Sequence, residues 1–316
     1  MNGRPAPPHA LAQIRPAARN GRVAPFRLSA FCLSTLLLVS ASAGQTFARP
    51  SSQKTQPQTL RSTRQNQNAL TPVQREIEKQ RTRLASSDAE ERRDAVTRLG
   101  AMQRPDASRA AAQSLADAAP IIRATAARAV LSLPPEEAAR LLLPLLQDKQ
   151  EFVRREAAYA LGLTRSASGV EALTVALARD KEAGVRGAAA VALGQIADAR
   201  AVPFLSEALG RRIRRSGFLN RVTFRRTEEN DLVRRAAAVS LGQIGAREGV
   251  PALITALQNE RAGDDVRREA ARALGLIGDA RAVPALRSAL TARDPYLSQI
   301  ALEALKKLEP AATRPA

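Results

Sequence analysis

The chain has 316 residues, of which 45% are hydrophobic but only 3% aromatic, and its formal net charge is +19. The scarcity of aromatic residues argues against a ligand pocket lined by aromatic rings. His9 is the only histidine, which excludes catalytic triads and metal sites built on paired histidines. Cys32 is the only cysteine, which excludes an internal disulfide and a thiolate metal site. We therefore predict no catalytic residues, no cofactor and no bound metal.

The first 43 residues have the pattern of an export signal. Five arginines precede an apolar stretch at residues 28–39, and Ala41-Ser42-Ala43 fits an A-x-A cleavage site. This pattern predicts that residues 1–43 are removed and that the protein is exported, either to the periplasm or outside the cell. The alternatives are an uncleaved segment that anchors the chain in a membrane, and an apolar tail without function. Export would separate the protein from the genome, so nucleic acid is not an expected partner.

Residues 44–72 are rich in Gln, Ser, Thr and Pro and contain few large apolar side chains. Such a segment buries too little surface to offset the entropy of ordering it, so we predict a disordered linker. Thr71 and Pro72 have the pattern of an N-cap and a first helical position. We therefore expect the folded domain to occupy residues 73–316.

A ten-residue phrase recurs through this domain. Its clearest copies are VRREAAYALG from Val153, VRGAAAVALG from Val185, VRRAAAVSLG from Val233 and VRREAARALG from Val266. A further copy closes at Gly100, and degenerate copies begin at Ile122 and Leu297. Small and apolar residues fall at i, i+4, i+7 and i+8, which predicts a helix. Several copies are preceded by another helix that has proline in its first turn, as in VPALITAL from Val250. We expect the closing glycines to be left-handed residues at or near the helix end, as at Gly194, Gly242 and Gly275.

Most copies are 31 to 33 residues apart, and one spacing is 48 residues. A fixed period of this size is typical of stacked units that bury a continuous core together. The sequence therefore predicts an all-α fold, an α-solenoid of about seven helical hairpins.

The recurring phrase resembles the HEAT repeat, and in particular the short HEAT-like repeats of the phycobilisome-lyase subtype. The resemblance extends from about Val73 to Leu308 and implies a structural ladder of aspartate and arginine. The residues at the ladder positions are Asp117, Arg123, Asp148, Arg154, Asp180, Arg186, Arg234 and Arg267. We expect Arg154 to pair with Asp148 of its own unit. The repeat by itself brings no lyase activity, because function lies in sites rather than folds.

An arginine-rich insertion at residues 211–230 accounts for the 48-residue spacing. Residues 211–226 contain seven arginines and no acidic residue. We call this insertion the arm. We predict that its arginines bind anionic groups of a partner. The candidate residues are Arg211, Arg212, Arg214, Arg215, Phe218, Arg221, Phe224, Arg225 and Arg226. The alternative is a solvated loop, and the conformation is either a short hairpin or a loop that orders on contact.

In solenoids of the kind that this chain resembles, the second helix of each hairpin lines the concave face. Contact candidates on that face are Arg93, Arg155, Tyr159, Arg235 and Arg268. Acidic residues directly follow three of these arginines, so the alternative is a solvated face of mixed charge.

These observations predict a non-enzymatic protein-interaction scaffold of the bacterial envelope. A protein partner would bind the solenoid surface and the arm. One alternative is a module that binds a polyanion, either nucleic acid or anionic lipid, through residues 211–226. Another is a lyase-type enzyme related to phycobilisome lyases.

Overall fold

The computed structural model describes residues 70–214 and 226–309. All of the described residues belong to one compact unit. The predicted signal at 1–43 and nearly all of the predicted linker lie outside them, as does the centre of the arm. Within the described ranges, no helix combines the length and the apolar character needed to cross a membrane.

Fourteen α-helices form seven successive hairpins in the described part of the chain. The first helices are α1 (Pro72–Arg83), α3 (Pro105–Ala112), α5 (Pro135–Leu142), α7 (Val170–Arg179), α9 (Val202–Gly210), α11 (Val250–Gln258) and α13 (Val283–Ala289). The second helices are α2 (Ala89–Ala101), α4 (Pro120–Ala129), α6 (Glu151–Thr164), α8 (Ala183–Ile196), α10 (Asp231–Ile244), α12 (Asp264–Ile277) and α14 (Pro295–Leu308). The predicted all-α solenoid of seven hairpins is confirmed.

The second helices pack more closely on one another than the first helices do. In a curved stack, the more closely packed row lies on the inner side. We call α2, α4, α6, α8, α10, α12 and α14 the inner row, and the first helices the outer row.

The helix starts follow from local sequence. Gln74 N donates to Thr71 Oγ1 at 3.3 Å, and Thr71 N donates to Gln74 Oε1 at 2.9 Å, which closes a capping box at the start of α1. The predicted N-cap is confirmed. Pro203 and Pro251 lie in the first turns of α9 and α11, where a missing N–H breaks no helical hydrogen bond.

The core follows the predicted helical face. Val153, Ala157, Ala160 and Leu161 of α6 are at most 1% exposed. Equivalent valines, alanines and leucines of the other inner helices join the same cluster, which continues through all seven hairpins. No hairpin could bury this stripe alone, so each depends on its neighbours.

The prediction for the glycines of the phrase is wrong. Gly194, Gly242 and Gly275 lie inside α8, α10 and α12. The left-handed residues come three positions later, at Ala197, Gly245 and Gly278.

The phrase glycines instead allow neighbouring inner helices to approach closely. A Cβ atom added at Gly162 would lie 2.6 Å from the Cα atom of Ala192, and one added at Gly275 would lie 3.0 Å from the Cα atom of Ala304. These distances leave no room for a methyl group against the backbone of the next helix. Glycine is needed at these positions because the contact between helices has no space for a side chain, and not because the backbone adopts an unusual angle.

The arm begins as a short hairpin between α9 and α10. Strand β1 (Arg212–Arg214) pairs antiparallel with β2 (Arg226–Glu228), with Arg212 opposite Glu228 and Arg214 opposite Arg226. Of the two conformations considered above, the base of the arm adopts the hairpin.

Candidate functional site

Asp148 belongs to one rung of the ladder, which is an arginine paired with a carboxylate of the following hairpin. Arg123 Nε and Nη2 donate to its two carboxylate oxygens at 2.7 and 2.9 Å. Its carboxylate also accepts from Gln150 N at 2.8 Å, and its main-chain oxygen accepts from Arg154 Nη1 at 2.9 Å. The residue therefore joins two hairpins, through its side chain to the preceding arginine and through its carbonyl group to the following one.

The same arrangement recurs in the neighbouring hairpins. Arg92 binds Asp117 at 2.8 and 3.0 Å, and Arg154 binds Asp180 at 2.7 and 3.0 Å. The expected pairing of Arg154 with Asp148 is therefore wrong. The carboxylate of each ladder aspartate is directed to the arginine of the hairpin before it, and only its carbonyl group meets the arginine of its own hairpin.

The fourth rung uses a residue that the sequence analysis missed. Arg186 Nε and Nη2 donate to the carboxylate of Glu229 at 3.0 and 2.6 Å. The Glu229 side chain is 0% exposed, and its main-chain N–H donates to Arg211 O at 2.8 Å across the base of the arm. The only signal in the sequence was the acidic stretch at the end of the arm, because the insertion removes the regular spacing.

The later arginines depart from the predicted ladder. Arg234 Nε donates to Leu209 O at 3.0 Å, and Arg267 Nε donates to Leu257 O at 3.1 Å. Both acceptors lie in the last turns of outer helices. The last carboxylate rung is shifted by one position, to Arg268.

Arg268, predicted as a contact on the concave face, serves the fold instead. Its Nε and Nη2 atoms donate to Asp294 at 2.7 and 2.9 Å. Its guanidinium carbon also lies 5.1 Å from the centre of the Tyr296 ring, within cation–π range. These contacts hold α12 against the start of α14.

The arginines of the ladder lower the pKa of their carboxylate partners. Hydrogen bonds from Arg123 hold the pKa of Asp148 below its usual value, and Arg92 does the same for Asp117. Outside the ladder, hydrogen bonds from Arg281 lower the pKa of Asp279 to about 2. In each case the hydrogen bonds to the ionised form outweigh the opposing effect of burial.

We expect these carboxylates to make the fold sensitive to acid. A carboxyl group whose pKa is lower in the folded than in the unfolded chain stabilises the fold fully above its unfolded pKa of about 3.9. That stabilisation is lost as the pH falls through the lower folded value. The thermal midpoint, followed by circular dichroism, should therefore be level from pH 7 to about pH 5 and fall steeply below about pH 4. Asp148→Asn should show a smaller fall, and equal midpoints at pH 7 and pH 3 would contradict the argument.

The residues predicted for the arm have different positions. Arg211 donates from Nη1 to Leu177 O at 3.3 Å and from Nη2 to Ala178 O, at the end of α7. Arg211 therefore anchors the arm to the outer row and is not presented to a partner, which corrects its predicted role. Arg212, Arg214 and Arg226 lie on the two strands. The remaining candidates, Arg215, Phe218, Arg221, Phe224 and Arg225, lie outside the described residues.

An open groove runs across α2, α4 and α6 of the inner row. It has a volume of about 480 Å³, and Ile121, Phe152, Arg128, Arg155 and Glu156 are among its lining residues. We call this groove and its extension the inner groove.

The extension lies toward α8. It has a volume of about 360 Å³, shares Arg128 and Glu156 with the first part, and adds Tyr159 and Leu163. Ile121, Tyr159 and Leu163 are 45%, 38% and 54% exposed. Large apolar side chains are therefore presented to solvent along one continuous surface.

The charges beside the inner groove are mixed. Arg155 binds Glu151 at 2.8 Å, and Arg93 binds Glu90 at 2.7 Å. Arg235, farther along the inner row, lies 3.8 Å from Asp265. The candidate arginines of this face thus have acidic neighbours, as the mixed-charge alternative supposed.

Arg128 is the exception inside the groove. Among the residues that the structure describes, its guanidinium group has no hydrogen-bond acceptor and no ion-pair partner. The same described ranges contain no group of three or more His, Cys, Asp or Glu residues placed to hold a metal ion.

Comparison with known proteins supports the repeat architecture. The model of the HEAT repeats matches residues 77–162, 145–217 and 222–306, which is more than half of the chain. A search of curated proteins gave no match.

Three solved structures show partial likeness. An engineered protein is 24% identical, with 74% of this chain and 68% of that chain covered and a TM-score of 0.49. The complex of CpcE and CpcF of phycocyanin lyase from Nostoc sp. is 22% identical, with 83% and 92% covered and a TM-score of 0.44. Human deoxyhypusine hydroxylase is 21% identical, with 81% and 92% covered and a TM-score of 0.36. We draw no functional conclusion from these three. On the family match, the chain belongs to the HEAT-repeat family.

Proposed function

We propose that this protein is a non-enzymatic scaffold that binds a protein partner along the inner groove. The observation that carries the proposal is the exposure of Ile121, Tyr159 and Leu163 on one continuous surface. Contiguous exposed apolar side chains with a polar rim are typical of protein interfaces. Tyrosine and arginine are also the residues that most often dominate binding energy at such surfaces.

The groove favours a partner of a particular chemistry. Its apolar side chains suit a segment with two or more apolar residues at neighbouring positions. Arg128 has no acidic partner among the described residues, so a carboxylate of the partner would complete a charge-assisted hydrogen bond there. The expected ligand is thus an apolar segment that carries at least one Asp or Glu.

We also propose that the protein is located in the bacterial envelope and that it catalyses no reaction. An envelope location rests on the N-terminal pattern, which lies outside the described residues. The non-enzymatic role rests on the sequence, because the only histidine precedes the repeats. The arm is proposed as a second contact for the same partner.

We expect Tyr159→Ala with Leu163→Ala to lower partner binding at least about tenfold, because exposed anchors contribute directly to an interface. The thermal midpoint should change little, since both side chains face solvent. The measurement is affinity capture from envelope extract with the full chain, quantified by mass spectrometry. Leu290→Ala, which removes a side chain 39% exposed on the outer row, is the matched control. Equal retention of the same proteins by all three forms would contradict the proposal.

Replacing Arg214, Arg215, Arg225 and Arg226 together by alanine should weaken capture of the same partner without shifting the thermal midpoint. The loss should be larger at low salt, because exposed charges are screened as ionic strength rises. A large fall in the midpoint would show that these arginines serve the fold instead.

A polyanion is the second candidate, and one observation favours it. Residues 211–226 contain seven arginines and no acidic residue, and the strand register brings two of them, Arg214 and Arg226, to directly opposite positions. A segment with this concentration of basic residues suits a polyanion. If only nucleic acid or anionic lipid is captured, with steep salt dependence, the polyanion function replaces the scaffold function.

A further inference from the structure

Four successive helices of the inner row each present one polar side chain without a partner. These residues are Arg128 of α4, Tyr159 of α6, Gln195 of α8 and Gln243 of α10. Arg128, Tyr159 and Gln243 are exposed, and Gln195 lines the extension of the inner groove. Within the described ranges, none of the four side chains forms a hydrogen bond or an ion pair. We call these four residues the donor row.

The two glutamines of the donor row are held in the same way. A Cβ atom added at Gly162 would overlap Gln195 Oε1, and one added at Gly194 would overlap Gln243 Oε1. Each amide oxygen therefore lies over a glycine of the preceding inner helix, and Gln195 Oε1 is buried there. The amide nitrogen of Gln195 is not enclosed in this way. It and the amide of Gln243 are free to donate to a molecule that lies on the inner face.

The spacing of the donor row favours one backbone conformation in such a molecule. Neighbouring packed helices are about 8–10 Å apart, so an extended chain that crosses the inner row meets a new helix about every three residues. In a polyproline II helix, three residues make one turn of about 9.3 Å, so every third carbonyl group points to the same side. A β-strand repeats every two residues, or about 6.6–6.8 Å, which does not match the helix spacing.

A polyproline II segment also offers the groups that the inner face requires. Its backbone forms no internal hydrogen bonds, so its carbonyl oxygens are free to accept from Tyr159, Gln195 and Gln243. Its apolar side chains would lie against Ile121 and Leu163, which are 45% and 54% exposed. The donor row and the apolar side chains of the inner groove would thus bind the same segment.

We infer that the inner groove binds its protein partner through a proline-rich segment in the polyproline II conformation. Tyr159, Gln195 and Gln243 donate to carbonyl oxygens that are three residues apart, and Arg128 binds an acidic residue at one end of the segment. The bound segment runs from α4 to α10 and needs about eight to ten residues at about 3.1 Å each. The inference rests on the proposed scaffold function and adds the class of segment that the groove recognises.

Isothermal titration calorimetry with the full chain tests the conformation of the segment. The probe is an acetylated peptide of one aspartate followed by three Leu-Pro-Pro triplets. The control peptide has Leu-Ala-Ala triplets, which keep the charge and the leucines but lack the rings that fix the backbone. We expect one site for the probe and binding about tenfold weaker for the control, which must be ordered on binding. No binding of the probe, or equal binding of both peptides, would overturn the inference.

Gln195→Met with Gln243→Met is the decisive variant. Methionine is flexible enough to fill the space over the two glycines, but it has no hydrogen to donate. We expect little change in the thermal midpoint and a roughly tenfold loss of probe binding, as for two hydrogen bonds. Gln258→Met, at the exposed end of α11 in the outer row, should bind the probe like the original chain. Equal binding by all three forms would show that the donor row is merely solvated.

Gln243→Met alone keeps the test decisive if the double variant is less stable. Gln243 is exposed, so this change should leave the thermal midpoint unaltered and still weaken probe binding by about threefold or more. Unchanged binding by this variant would contradict the inference.

Affinity capture from envelope extract separates this inference from the proposed function. Loss of the partner by both Tyr159→Ala with Leu163→Ala and Gln195→Met with Gln243→Met would support both. Loss by the first variant alone would leave the scaffold function in place and overturn the role of the donor row. Retention by both variants would contradict the scaffold function as well.

Discussion

Replacing Glu229 by alanine is expected to lower the free energy of unfolding by about 3–5 kcal/mol. Its carboxylate is fully buried and accepts three hydrogen bonds, two from Arg186 and one from Asn230 N. Removing it leaves the Arg186 guanidinium group, which is 8% exposed, without its counter-charge. Glu229 directly follows β2, so the change also removes the side chain that joins this end of the arm to the fourth hairpin. The largest effect of any single ladder carboxylate is therefore expected here.

Urea unfolding followed by circular dichroism measures this effect. Glu78→Ala is the matched control, because Glu78 pairs with Arg81 at 2.8 Å but both side chains are about half exposed. Exposed pairs of this kind contribute at most about 1 kcal/mol. Similar losses for the two variants would show that the buried ladder has no special role in stability.

Gly162→Ala is expected to lower the free energy of unfolding by about 2–3 kcal/mol, although it adds only one methyl group. That methyl carbon would lie 2.6 Å from the Cα atom of Ala192, so the backbones of α6 and α8 would have to move apart. Alanine otherwise favours a helix over glycine by about 1 kcal/mol, so the expected loss opposes intrinsic propensity.

Gly210→Ala provides the control at the end of α9. A Cβ atom at that position would meet no atom within 4 Å. The free energy of unfolding should therefore stay the same or rise by up to about 1 kcal/mol. A Gly162→Ala variant as stable as the Gly210→Ala variant would show that the inner helices can separate at little cost.

Much of the fold could be predicted from the period of the sequence. The positions of Val153, Ala157 and Leu161 identify a buried helical face because helix geometry fixes which residues share a side. The capping residue Thr71 could be predicted because a cap is a local feature. Seven hairpins followed from the number of copies.

The partners across the stack could not be predicted in the same way. Spacing places Asp148 near both Arg123 and Arg154, and only the packing of hairpins decides that its carboxylate meets Arg123. Glu229 was missed because the arm interrupts the spacing on which the other rungs were recognised.

The candidate site could be predicted only in part. Tyr159 could be placed on the inner face from its position in the phrase, whereas the exposure of Ile121 and Leu163 appears only once α4 and α6 are packed.

Site-specific photo-crosslinking tests the proposed function most directly. A photoreactive amino acid would replace Leu163 in the inner groove in one form of the full chain, and Phe204 on the outer row in another. Both native side chains are large, apolar and about half exposed, at 54% and 43%. The scaffold function predicts one discrete crosslinked protein from position 163 that is absent from position 204. Equal crosslinking from both positions, or none from position 163, would contradict it.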